Sequence, residues 1–217
     1  MGSGPIRIVC LGRASKEDVA SRIGASAESM GAKVDYAADN FQGSEIDQGS
    51  IDWRGSLSSA NWLLVSSSSV LEGDGMRGAW GASLTFSELE GSKTAMVVEV
   101  PDDESRMGEA WGSVIERIRQ VSVLFLTQKA MDALMELEGV DDMGLIGEIR
   151  SKSLVPIVCS FHPVSGIALV SHSLGDEVVE VQSGMGFERW LAGFLCGLSY
   201  SGSGSSGIML AALSEYP

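Results

Sequence analysis

A chain of 217 residues, 44% hydrophobic and 20% charged, has the apolar content for one well-cored domain or two small ones. Its 15 lysines and arginines face 29 acids, a formal charge of −14, which argues against nucleic acid or an anionic membrane as a direct partner. No apolar run reaches the roughly 20 residues of a membrane span, and Met1 to Pro5 lead into a strand without a signal peptide's apolar core, so a cytoplasmic location is expected.

Ile6 to Leu11 reads as a strand, followed by Gly12 and a helix over Lys16 to Met30 with Ser15 as its expected N-cap. Gly31 ends that helix and Ala32 to Tyr36 resumes as a strand. The polar, glycine-bearing segment Ala37 to Gly55 lacks sustained periodicity and is read as loop. Trp62 to Val65 is a short buried strand, the serines Ser66 to Ser69 a cap or loop, and Met76 to Leu84 a helix. Strand Ala95 to Val100 is stopped by Pro101, with an acidic, solvated turn at Asp102-Asp103-Glu104. A helix over Gly108 to Arg119, a strand over Val121 to Leu126 and helices over Gln128 to Leu137 and Asp142 to Ser151 follow. Ile157 to Ser160, Gly166 to Val170 and Val178 to Val181 read as strands, and Phe187 to Leu198 and Ser205 to Leu213 as helices joined through a glycine- and serine-rich connection.

Short buried strands alternating with helices predict an α/β domain with a largely parallel sheet and helices on both faces. The adjacent strands before the last two helices break that alternation and predict a small antiparallel edge. Trp53, Trp62, Trp80, Trp111 and Trp190 stand beside apolar faces and read as core anchors. Cys10, Cys159 and Cys196 lie in apolar runs without metal-ligand spacing, and are expected to be buried, unmodified thiols. His162 and His172 have no carboxylate or cysteine spacing around them and read as loop or strand-end residues, so no metal site is expected.

The stretch Gly184 to Leu198 opens with Gly184 and Gly186, then places Trp190, Leu191, Phe194, Leu195 and Leu198 at helical spacing. A glycine-bearing turn into a helix presents free N–H groups and the positive end of the helix dipole, which suits an anion. The same stretch resembles the signature of the ribokinase-like (PfkB) carbohydrate kinases, Gly-Ala-Gly-Asp followed by Ala-Gly-Phe-Leu. Aligned on Ala192-Gly193-Phe194-Leu195, the family's catalytic aspartate falls on Glu188 and its Gly-Ala-Gly on Met185-Gly186-Phe187. From about Leu57 onward the segments are similar, in order, to the 2-keto-3-deoxygluconate kinases: Ala60 to Leu64 with its serines, Met96 to Trp111, Val121 to Leu134, and Gly166 to Val170. Met30-Gly31-Ala32-Lys33-Val34 also resembles a phrase that follows an early helix in such proteins.

The resemblance implies a ribokinase-like three-layer α/β/α sandwich, here as one domain over 1–217 without the early-inserted lid. The polar motifs are altered. The family's Asp-Pro-Asn appears as Val100-Pro101-Asp102, its metal-ordering Asn-x-x-Glu as Thr127-Gln128-Lys129-Ala130, and its glycine loop as Ser160 to Ser165 with Pro163. Glu188 stands as a degenerate base one methylene too long, and Phe187 stands in the anion hole beside Gly184 and Gly186, where a phenyl ring is expected to obstruct a phosphate. Two readings follow. The first is a non-catalytic PfkB homologue, a structural or regulatory protein with no cofactor, working with a protein partner or as a homo-oligomer. The second is a weak ATP- and Mg-dependent carbohydrate kinase acting on a keto-sugar acid such as 2-keto-3-deoxygluconate, with sugar and nucleotide as ligands. On the first reading Met185 and Phe187 form an exposed apolar mouth that contacts the partner.

Overall fold

The computed structural model describes residues 4–14, 18–38, 46–139 and 142–213, the side chains at 142 and 143 aside. Eight strands form one sheet: β1 (Arg7–Cys10), β2 (Lys33–Tyr36), β3 (Trp62–Ser66), β4 (Lys93–Val98), β5 (Val123–Leu126), β6 (Ile157–His162), β7 (Ile167–His172) and β8 (Gly175–Glu180). Their spatial order is β2-β1-β3-β4-β5-β6-β7-β8. Pairing from β2 through β6 is parallel, while β6–β7 and β7–β8 are antiparallel, as the run of adjacent strands predicts.

The central strands are apolar on both sides because both faces are covered. Val9, Leu63, Val65, Met96, Val98, Leu124, Leu126 and Val158 point to one face. That face carries α2 (Trp53–Leu57), α3 (Asp74–Glu90), α4 (Met107–Arg117), α5 (Gln128–Glu138) and α6 (Asp142–Ser153). Ile8, Cys10, Trp62, Leu64, Val97, Phe125 and Cys159 alternate onto the other face, under α1 (Val19–Ser29), α7 (Phe187–Ser201) and α8 (Ser205–Ala212). The result is an α/β/α sandwich.

All five tryptophans are buried, and their indole N–H groups find acceptors, as an amphipathic ring requires inside a core. Trp62 donates to Leu195 O at 3.0 Å, Trp190 to Ala212 O at 2.9 Å and Trp80 to Ser66 O at 3.0 Å. Trp190 also stacks between Phe161 and Phe194, with centroids at 5.3 and 5.0 Å. The three thiols are free and buried as expected.

Two local expectations need correction. Helix α1 starts later than Lys16, and its cap is Asp18, whose carboxylate accepts from Ser21 N at 2.8 Å. The expected cap, Ser15, lies outside the described residues. The segment read as loop contains a helical turn at Gln48–Ser50 and the short helix α2. Asp52 caps α2 by accepting from Gly55 N at 2.9 Å, and Trp53 and Leu57, one turn apart, bury the same side. Residues 39–45 of that segment lie outside the described residues.

Candidate active-site cleft

After β1 the chain crosses to β2 on one side, then returns to β3 on the other, so the direction of winding reverses between β1 and β3. Diverging connections at such a switch point leave a crevice at the carboxyl ends of the strands. Here that crevice is a cavity of about 670 Å³, lined among others by Asp18, Arg22, Ser68, Glu99, Asp102 and Arg106. The β1–α1 turn closes its floor tightly. A Cβ on Gly12 would sit 2.7 Å from Ser21 Oγ and 2.8 Å from Asp18 Oδ1.

Glu99 follows β4 and is the most unusual group in the cleft. Its Oε1 accepts from the hydroxyls of both Ser66 and Ser68, the latter at 2.5 Å, while its own N–H donates to Ser67 Oγ at 3.3 Å. The serines after β3 therefore cradle a carboxylate besides ending a strand. Burial pushes the Glu99 carboxyl up from the ordinary glutamate range, with Asp18 adding to the rise; Ser66, Ser68 and the Arg22 guanidinium oppose it. A partly desolvated carboxyl in a cleft, held by hydroxyls, can donate to or accept from a ligand hydroxyl. Sequence reading passed over Glu99; the signal was an acid at the carboxyl end of the apolar run Ala95 to Val98.

Helix α7 reaches this cleft through Arg22, a lining residue that pairs with Glu188. Gly186 is its N-cap, in extended backbone (φ −68°, ψ 148°), and no side chain caps the first turn. Gly184 turns the preceding chain at φ +83° and donates its N–H to Pro163 O at 3.0 Å, tying the loop to the β6–β7 turn. Glu188 sits in the first turn, where its Oε1 accepts from Arg22 Nε of α1 at 3.0 Å. The other oxygen lies 3.2 Å from where a Cβ on Gly186 would stand, so the carboxylate folds back across its own helix end.

Phe187 does not behave as its place in the motif suggests. Its ring turns away from the helix end and stacks on Phe125 of β5, with centroids 5.7 Å apart and planes 17° apart. Met185 packs against the same core. Both side chains are half-buried against the sheet, so the apolar mouth is less exposed than expected.

The position that the resemblance assigns to metal ordering is part of the core. Thr127 caps α5 by accepting from Ala130 N at 3.3 Å, and the Ala130 methyl is buried. Among the described residues, no three His, Cys, Asp or Glu side chains come together to hold a metal ion. The α7 helix end leaves its first-turn N–H groups without a side-chain cap, and the position that the resemblance assigns to metal ordering carries a methyl group in place of a carboxylate. Asp103 is occupied as a turn acceptor for Ser105 N and Oγ, at 3.2 and 2.6 Å. His162 and His172 are strand-end residues whose Nδ1 atoms accept from Ser165 N and Leu174 N, both at 3.2 Å. A second cavity of about 280 Å³ opens on the β6–β7 side, lined by Gln128, Met131, Ser160, His162 and Ile167 among others.

This arrangement of sheet, switch-point cleft and glycine-led helix is the ribokinase-like fold of the PfkB sugar kinases. No protein-family model and no curated sequence matches the chain. Among solved structures it is similar to a fructokinase from Vibrio cholerae O395, in a fructose-, ADP- and potassium-bound form (TM-score 0.73, 12% identity, 98% of this chain and 90% of that one). It is similar also to a PfkB protein from Polaromonas sp. JS666 (TM-score 0.71, 10% identity, 99% and 97%). A third is a 2-dehydro-3-deoxygluconokinase from Thermotoga maritima (TM-score 0.69, 11% identity, 98% and 92%).

Proposed function

We propose that this chain is a non-catalytic homologue of the PfkB sugar kinases: one domain, without a lid, that uses the kinase scaffold for binding. The observation that carries this reading is the Arg22–Glu188 pair. The only acid at the base position has one oxygen on a guanidinium and is folded over its own helix end. A base must meet a substrate hydroxyl within hydrogen-bond reach; here one Glu188 oxygen is held by Arg22 and the other is turned toward Gly186 at its own helix end, away from the pose a base needs. The buried Ala130 at the metal-ordering position supports the same reading, since phosphoryl transfer rests on positioning and charge neutralisation. What the cleft keeps is recognition chemistry. Glu99 with its serines, beside Asp18 and Arg22, is suited to a small polyhydroxylated ligand.

The alternative, a weak ATP-dependent kinase for a keto-sugar acid, is favoured by one observation, the α7 helix end without a side-chain cap. Two measurements decide between the readings. Mg-ATP in hundredfold excess over a true dissociation constant would stabilise the fold by about 2.7 kcal/mol; no rise in Tm at millimolar Mg-ATP is expected. Coupled ADP-release assays over a panel of sugars and sugar acids are expected to stay at background. A clear thermal shift together with substrate-dependent turnover would overturn the non-catalytic reading.

A further inference from the structure

On the opposite layer from α7, helices α4, α5 and α6 leave a groove between them. Its cavity is about 210 Å³, and its walls include Trp111, Ile115, Ile118, Leu145 and Ile149. The indole N–H of Trp111 is already donated to Glu138 Oε1 at 3.1 Å, so what the ring has left to offer is apolar surface. Ile115 is 46% exposed, and the exposed Leu137 and Leu154 adjoin the lining residues Glu138 and Ser153 in sequence. An exposed aliphatic group such as Ile115 on the wall of an apolar concavity marks a surface that something covers.

The charges around the groove indicate what kind of occupant. Its charged lining residues are Glu138, Glu148 and Lys152. Lys152 pairs with Glu148, and its ammonium is pushed up from the ordinary lysine range by that hydrogen bond and charge, with Glu138 adding to the effect. The lining thus holds two carboxylates, Glu138 and Glu148, against one ammonium, and is left with a negative excess. The whole chain leans the same way, at −14.

We propose that the α4–α5–α6 groove docks a basic amphipathic helix of a partner protein, with an aliphatic anchor against Trp111 and Ile149 and a lysine or arginine facing Glu138. This rests on the reading of the chain as a binding protein, and it puts the contact on a different layer from α7. A second copy is the poorer occupant, because two chains of charge −14 repel each other. A neutral apolar molecule would leave the rim carboxylates without a role.

The test uses the full chain, isotopically labelled for amide NMR, and a synthetic amphipathic peptide of leucine and lysine. A control peptide keeps the leucines and replaces each lysine by glutamate. The lysine peptide is expected to bind saturably and shift amides of α4, α5 and α6, with the glutamate peptide at least about tenfold weaker. Ile115→Glu, at an exposed position, should weaken the lysine peptide about tenfold without lowering Tm. Glu138→Gln, which can still accept from Trp111, should weaken it about threefold and flatten its salt dependence. Equal binding of the two peptides, shifts confined to another surface, or indifference to Ile115→Glu would each overturn the proposal. So would sedimentation showing a dimer that Ile115→Glu dissolves, which would assign the groove to a second copy. Failure here leaves the phosphotransfer assays untouched, and turnover there leaves this groove untouched.

Discussion

Phe187→Ala asks directly what the altered glycine motif does. The ring is half-buried and stacked on Phe125 at 5.7 Å. Deleting a fully buried phenylalanine side chain costs about 3–5 kcal/mol. Scaling for half burial gives about 2 kcal/mol, of which the stacked pair contributes about 0.5–1 kcal/mol. Alanine is a better helix former than phenylalanine, so backbone preference does not add to the loss. In a chain of this size about 2–4 °C accompanies each kcal/mol, so Tm should fall by about 4–8 °C. Urea unfolding should show the loss as a lower midpoint at unchanged slope. A loss below about 0.5 kcal/mol would refute the packing role and return Phe187 to the exposed contact surface that its motif position suggests.

Glu99→Gln keeps an acceptor for Ser66 and Ser68 while removing the charge. A native carboxyl with a raised pKa holds its proton more tightly than the unfolded chain does. Its stabilising contribution is present below the ordinary glutamate pKa of 4.5 and is lost as pH rises through the native value. Urea midpoints of the two proteins should therefore nearly coincide at acid pH, with the variant gaining on the parent above that window; a parent that gains with rising pH would contradict the burial assigned to Glu99. Arg22→Ala should change stability by less than about 1 kcal/mol, since the guanidinium is 45% and the Glu188 side chain 25% exposed; a larger loss by denaturation would show the pair to be a structural clasp. Burial pushes Cys10 and Cys159 well above the thiol range and Cys196 up to about 11, so none should react with a thiol reagent at pH 8 while folded. Rapid labelling of any one would place it at the surface.

The frame of the fold was legible because it is written in apolar periodicity. Runs such as Trp62 to Val65 and Val121 to Leu126 are buried on both sides, and nothing but a covered sheet accounts for them. The antiparallel edge was legible for the same reason, as strands with no helix between them. The cleft was harder to read. Ser66 to Ser69 look like a cap from composition, and their role appears only when β3 and β4, paired in parallel, bring Ser66 and Ser68 to Glu99. The Phe187 ring sits against the core for a related reason. A motif position fixes where the backbone goes, but the ring's direction depends on Phe125, which comes from a strand 62 residues earlier in the chain. Helix α2 was hidden by its length, since five residues are too few to display a helical period.

The hydrogen bonds from Trp62 to Leu195 and from Arg22 to Glu188 join segments 133 and 166 residues apart. They belong to the layer of α1, α7 and α8, which closes one whole face of the sheet. On a ribosome adding about 5–20 residues per second, Trp62 would wait roughly 7–27 s for Leu195 to be made. Through that interval the side of β3 and β4 that α7 and α8 will cover would have only α1 on its layer, while the other side could already be roofed by α3 and α4. The yield of folded protein should then depend on what shields that side in the meantime, and slowing translation late in the message should hurt more than slowing it early.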